Sequence, residues 1–370
     1  MYLGLLIYIL IYSIFGLCTV AEYGTSLKCN SEKVAIHRKM PWILILSFSI
    51  VCALFNYYST SISTGMGGDR QNYLFDFSGF RSASVGLDAV FAIVKYFSGD
   101  IYTVFYLTTF LCCLITFYAY RKSPDANYNT ILFLLSTNFV VFTFTGLKQC
   151  YACAFAALFF AFAFREKTKG NVIVCIILII LASMFHSTGF ILVPVYMFIL
   201  FSPRKSRYLN LLFILLILVA IFIQQISLVV ARVVAGPFPQ LASTIIQYLG
   251  SESSFGTQDL NITALQGFPF YILIILGLLN RKKISKVEAR YDMYLVLAGL
   301  GGLFYILSLF SYWMSRFSSI FFIPMGILYA MNMKYMSRNN RLVISTLIVV
   351  FELILTLRSY LLVYSLWGGF

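Results

Sequence analysis

The chain has 370 residues, 61% of them hydrophobic and 11% charged, with a formal net charge of +14 and a mean hydropathy of +0.88. Soluble domains hold about 45–50% apolar and about 25% charged residues, so a soluble enzyme is excluded and an all-α polytopic membrane protein is expected. The basic excess sits in short loops between apolar runs, where it reports orientation and not an affinity for nucleic acid.

Twelve transmembrane helices are predicted, at about 2–20, 41–60, 101–120, 128–143, 149–164, 171–186, 188–202, 208–230, 267–280, 291–310, 317–333 and 342–366. The first has neither a basic leader nor a small-residue cleavage site, and reads as a retained helix with its N-terminus outside. Loops within 28–39, 121–122, 165–169, 204–207, 281–290 and 334–341 hold twenty basic residues. The alternate loops hold six: Arg70, Arg81, Lys95, Lys148, Arg232 and Arg316. The positive-inside rule makes the first set cytoplasmic. Two outward segments are long, 61–100 and 231–266. Within the first, Val85 to Phe97 mixes an apolar face with isolated charges and predicts a helix in the outer interface. The second, with Gly236-Pro237-Phe238-Pro239 and Gly250-Ser251, reads as a lid over a site formed with the first. Residues 1–370 read as a single integral membrane domain without internal repeats, which argues against an inverted-repeat transporter.

Four polar motifs fall at outward span ends. Asp69-Arg70-Gln71-Asn72-Tyr73 follows a glycine-rich stretch that lets backbone approach a ligand. Asp69 suits a general base or a sugar-hydroxyl acceptor, and Arg70 suits a phosphate; a local ion pair ordering a loop is the ordinary alternative. Lys148-Gln149 opens a helix rich in small residues, where the N-terminus favours an anion; a lysine reaching to headgroups is the alternative. His186 is followed by Ser187, Thr188 and Gly189, and a lone membrane histidine is often an interhelical hydrogen-bond partner. Arg316, among Tyr312, Trp313 and Phe317, can grip phosphate in a bidentate way or contact a lipid headgroup.

Glu352 and Arg358 lie in the last span, at a depth where charges face a cavity or each other. Arg358 is expected to reach the outward cavity and Glu352 to brace another helix. Asp76, Glu252 and Asp259 are reserve acids without a motif. His37 falls in a basic cytoplasmic loop. The eight cysteines lie mostly within spans and read as small packing residues, Cys150-x-x-Cys153 included. No phosphate-binding glycine loop, HExxH or GxSxG occurs, so a nucleotide-using enzyme is not expected, and no carboxylate cluster suggests a metal.

In this order, Asp69 with Tyr73, Lys148-Gln149, Phe185-His186-Ser187-Thr188 and Arg316-Phe317 resemble the EpsG-like branch of Wzy-type bacterial polysaccharide polymerases. The second motif is usually Arg-Gln in that family, and Lys148 departs from it. The resemblance implies a GT-C-like glycosyltransferase of the bacterial inner membrane with its site facing outward. It would move a glycan from a polyprenyl-diphosphate-linked repeat unit onto the non-reducing end of another unit, making O-antigen, capsule or exopolysaccharide. Asp69 and His186 would be catalytic, with Arg70, Tyr73, Lys148, Gln149, Ser187, Arg316 and Arg358 binding diphosphate or glycan, and no cofactor. Partners would be the lipid-linked donor and acceptor, membrane lipid, a chain-length regulator and a flippase. An O-antigen-type ligase and a flippase or transporter are the competing readings; a membrane acyltransferase lacks its donor machinery here.

Overall fold

The computed structural model describes residues 42–62, 69–79, 84–97, 99–123, 146–201, 268–308 and 314–337, with scattered positions between 228 and 243 and between 339 and 354. The expected spans at 2–20 and 128–143, and most of those at 208–230 and 342–366, lie outside these residues. Among the described residues the regular structure is helical and no strand occurs. The chain divides into two compact units, Met1–Leu200 with Tyr329–Phe370, and Phe201–Leu328.

The first unit contains α1 (Trp42–Ile62), α2 (Asp69–Ser78), α3 (Val85–Phe97), α4 (Ile101–Lys122), α5 (Leu147–Ala163), α6 (Lys169–Phe185) and α7 (Leu192–Phe201), with a 3₁₀ turn at Ser187–Ile191. The predicted interfacial segment is a helix with the expected bounds. Gly99, at φ +67°, turns the chain out of α3, and Asp100 then caps α4 by accepting from the Tyr102 N–H at 3.1 Å. At 22 residues, α4 is about 33 Å long, enough to cross a bilayer. Among the described residues it alone passes as a crossing helix unaided. The alanines of α5 at 152, 154, 156, 157 and 161 are buried, which allows close approach of its neighbours.

Helices α6 and α7 form an antiparallel hairpin. Thr168 caps α6 by accepting from the Asn171 N–H. The chain reverses after Phe185, and Gly189 fits because a Cβ there would lie 2.5 Å from the Ala182 carbonyl carbon. Pro194 in the first turn of α7 cannot donate to the carbonyl four residues earlier, consistent with the tighter turn before it. At the far end Lys167 Nζ donates to the Leu200 carbonyl. Ile173, Ile176, Ile177, Ile180 and Met184 form one exposed stripe of α6, while Cys175, Leu178 and Ala182 are buried. A helix apolar on its inner and outer faces alike suits lipid, not water.

This unit has two chemically distinct ends. Arg165 donates to the Lys122 carbonyl at 2.8 Å, and Arg121 lies over the Trp42 ring. Those contacts and the Lys167 bond gather the basic loops at one end. At the other end Tyr151 stacks on Phe185 with ring centroids 4.2 Å apart, and Ser84 bonds to the end of α6.

The second unit contains α8 (Phe268–Ile284), α9 (Tyr291–Leu307), α10 (Met314–Ile320) and the start of α11 (Phe322–Tyr335). Arg281 clasps Asp292 through two bonds of 3.1 and 3.2 Å, and Tyr291 donates to the Gly277 carbonyl at 3.0 Å, closing the α8–α9 hairpin. The span expected at 317–333 is not one straight helix: α10 and α11 meet at 56°. Pro324 explains the break, because its ring clashes with the Ile320 carbonyl in a continuous helix yet is tolerated in the first turn of α11.

Candidate functional site

Helix α2 carries Asp69, Tyr73 and Asp76 at positions i, i+4 and i+7, which share one stripe of a helix. Asp69 and Arg70 hold its first two positions, their side chains lying outside the described residues. Tyr73 is buried and packs with Phe77, Leu87, Phe91 and Leu147. Phe77 meets Phe91 edge-on at 5.4 Å, so α2 is pinned to α3 by its apolar side.

Lys148 stands in the first turn of α5, just after Gly146, which offers no side-chain cap. Its ammonium lies 5.8 Å from the Tyr73 ring centroid and 4.0 Å from Asp76 Oδ2. Both charges are partly shielded, with side-chain exposures of 22% and 19%. The lysine is therefore held between an aromatic face and a carboxylate.

Gln149, beside it, is buried, and Thr188 Oγ1 donates to its Oε1 at 3.0 Å. Thr188 is buried as well, and its Oγ1 lies 2.9 Å from His186 Nδ1. The Thr188 backbone N–H also donates to His186 Nδ1, at 3.2 Å, so the imidazole caps its own turn. The structure thus brings Tyr73, Lys148-Gln149 and His186-Thr188 together at the end of the first unit opposite its basic loops.

Two more residues fix that end. Ser84 Oγ donates to the Phe185 carbonyl at 2.8 Å and the Met184 carbonyl at 3.2 Å, and accepts from the Leu87 N–H. It ties the start of α3 to the residues just before His186. Gly86 permits this docking, since a Cβ there would meet the Phe185 ring at 2.7 Å.

A sequence-family model described as the EpsG family matches residues 42–367. The chain belongs to the EpsG family. No curated protein and no solved structure matches it. EpsG family proteins are membrane polymerases of polysaccharide biosynthesis, with glycosyltransferase-like activity.

In this EpsG protein the hydroxyl joined to Gln149 is that of Thr188, while Ser187 is exposed. Asp76, a reserve acid without a motif, is the carboxylate beside Lys148. Its signal was available: the D-x-x-x-Y spacing is one helical turn, and Asp76 continues the stripe. Arg316 belongs to the second unit, half-buried in the first turn of α10, where its carbonyl accepts from Ser319 Oγ at 2.8 Å. Its neighbour Phe317 stacks on Phe304 at 5.3 Å, which anchors that turn. Arg358, Glu352, Glu252 and Asp259 lie outside the described residues. Cys52, Cys112, Cys113, Cys150 and Cys175 are buried free thiols, as packing residues would be.

Proposed function

We propose that the chain polymerises polyprenyl-diphosphate-linked repeat units at the extracytoplasmic face of the bacterial inner membrane. The observation that carries this reading is the meeting of Tyr73, Lys148-Gln149 and His186-Thr188 at one end of the first unit, away from its basic loops. In an EpsG family member, that end suits a lipid-linked saccharide.

The reaction needs a cation for the leaving group and an acceptor for one proton. A hydroxyl oxygen at the non-reducing end of one unit attacks the anomeric carbon of the other unit's glycan. The bond from that carbon to the diphosphate oxygen breaks, and polyprenyl diphosphate leaves with the electron pair. Lys148, Arg70, Arg316 and Arg358 supply charge to the departing diphosphate. The hydroxyl proton passes to a carboxylate or imidazole, with Asp69 and His186 in the catalytic roles. Ser187, exposed beside His186, contacts glycan, and the buried Tyr73 and Gln149 support the site from behind. The polyprenyl tails lie against apolar helix faces such as that of α6. The reading includes twelve crossings in one membrane domain, with two long outward segments, 61–100 and 231–266.

The glycan profile of a strain lacking the gene tests this reading. A polymerase loss leaves products of a single repeat. Loss of all surface glycan points instead to a ligase or a flippase.

A further inference from the structure

The hydrogen bonds at His186 Nδ1 bear on whether its imidazole acts as a base. The Thr188 N–H lies 3.2 Å from Nδ1 and can only donate. The Thr188 hydroxyl, at 2.9 Å, can turn its proton toward Nδ1 or toward Gln149 Oε1. In both settings the backbone donor requires a lone pair on Nδ1. Thr188 is fully buried. A proton on Nδ1 would set two donors against each other and strand a buried N–H, disfavouring that form on the order of tenfold or more.

We infer that the Thr188 backbone N–H holds neutral His186 with Nδ1 bare and Nε2 protonated, so that it gives a hydrogen bond to a substrate oxygen and does not take the acceptor's proton. The oxygen is a sugar hydroxyl or a diphosphate oxygen. Proton removal then falls to a carboxylate, and α2 provides Asp69 and Asp76 on one stripe. The role at substrate rests on the polymerase reading; the tautomer does not.

The chain has two histidines, so a full-length His37→Gln protein carries one imidazole. Ring-¹⁵N-histidine spectra of that protein in lipid nanodiscs at neutral pH read the tautomer directly. The expected result is protonated Nε2 and bare Nδ1, kept in Thr188→Val because the backbone donor remains. Protonated Nδ1, an imidazolium, or loss of the tautomer in Thr188→Val overturns the assignment. In polymerisation assays on the same preparations, His186→Ala should lose on the order of 10²-fold in rate. His186→Gln, whose amide can donate near the Nε2 position, should recover about tenfold of that loss. Equal loss in both variants overturns the donor role. A parent protein that forms no polymer refutes the polymerase reading and leaves the tautomer result standing.

Discussion

Thr188 Oγ1 donates to Gln149 Oε1 across 3.0 Å, joining residues 39 positions apart in the chain. Both side chains are buried, so the bond couples the start of α5 to the turn that carries His186. Thr188→Val should leave the Gln149 carbonyl oxygen without this donor, costing about 1–3 kcal/mol, while Thr188→Ser should be nearly neutral. Thermal unfolding of the detergent-solubilised variants checks this. A double-mutant cycle with Gln149→Leu should show coupling on the order of 1 kcal/mol, and simple additivity would mean that the two side chains do not interact.

Gly189 and Gly86 should differ in their tolerance of a methyl group. At Gly189 the added Cβ would press on the α6 backbone at Ala182 and Ser183. Gly189→Ala should therefore cost at least the roughly 1–3 kcal/mol of overpacking and lower the folded yield. At Gly86 it would meet the Phe185 ring, a side chain and not backbone, which must shift against Tyr151. Gly86→Ala should give normal yield with a weakened α3–α6 junction, seen as a lower unfolding temperature. Equal yields for the two variants would contradict the packing described.

Lys148 should act by charge. Lys148→Ala removes a cation from the leaving group, a loss on the order of 10²–10³ in rate if it serves the diphosphate. Lys148→Arg keeps the charge and should retain most activity. Asp76→Asn frees the lysine from its carboxylate, so it should change the apparent affinity for lipid-linked donor more than it changes maximal turnover. Initial rates over a range of donor concentration separate the two effects. A Lys148→Ala enzyme of full activity would remove the lysine from the site.

Much of this architecture was legible from residue pattern. Val85 to Phe97 stood out because its apolar positions recur with helical period, and the polar motifs stood out because charge is scarce. Other features were hidden for physical reasons. Asp69 to Ser78 follows glycines and is polar, so it read as loop; as a helix it places Asp76 beside Tyr73 on one stripe. Ser187 and Thr188 are equivalent in sequence, and only the path of the turn decides which hydroxyl is buried. Pro324 announced the bend between α10 and α11, but continuous apolar sequence around it masked the break. Arg316 could be placed in its own turn from its aromatic neighbours, whereas its role depends on tertiary structure that no local pattern encodes.

The proposed topology rests on the twenty-to-six division of basic residues between alternate loops. Single cysteines at positions 72 and 187 in a protein without other cysteines should react with a membrane-impermeant maleimide from outside. Cysteines at 122 and 167 should react only after permeabilisation. Labelling of 72 and 122 from the same side would dissolve the two-ended arrangement of the first unit.

The most direct measurement is product length from purified full-length protein in lipid nanodiscs, given one synthetic repeat unit on polyprenyl diphosphate and no nucleotide. The account predicts a ladder of two, three and more repeats, with one polyprenyl diphosphate released per linkage and the ladder lost in Lys148→Ala. Donor left wholly as single repeats by folded protein, or diphosphate released without any new glycosidic bond, would contradict it.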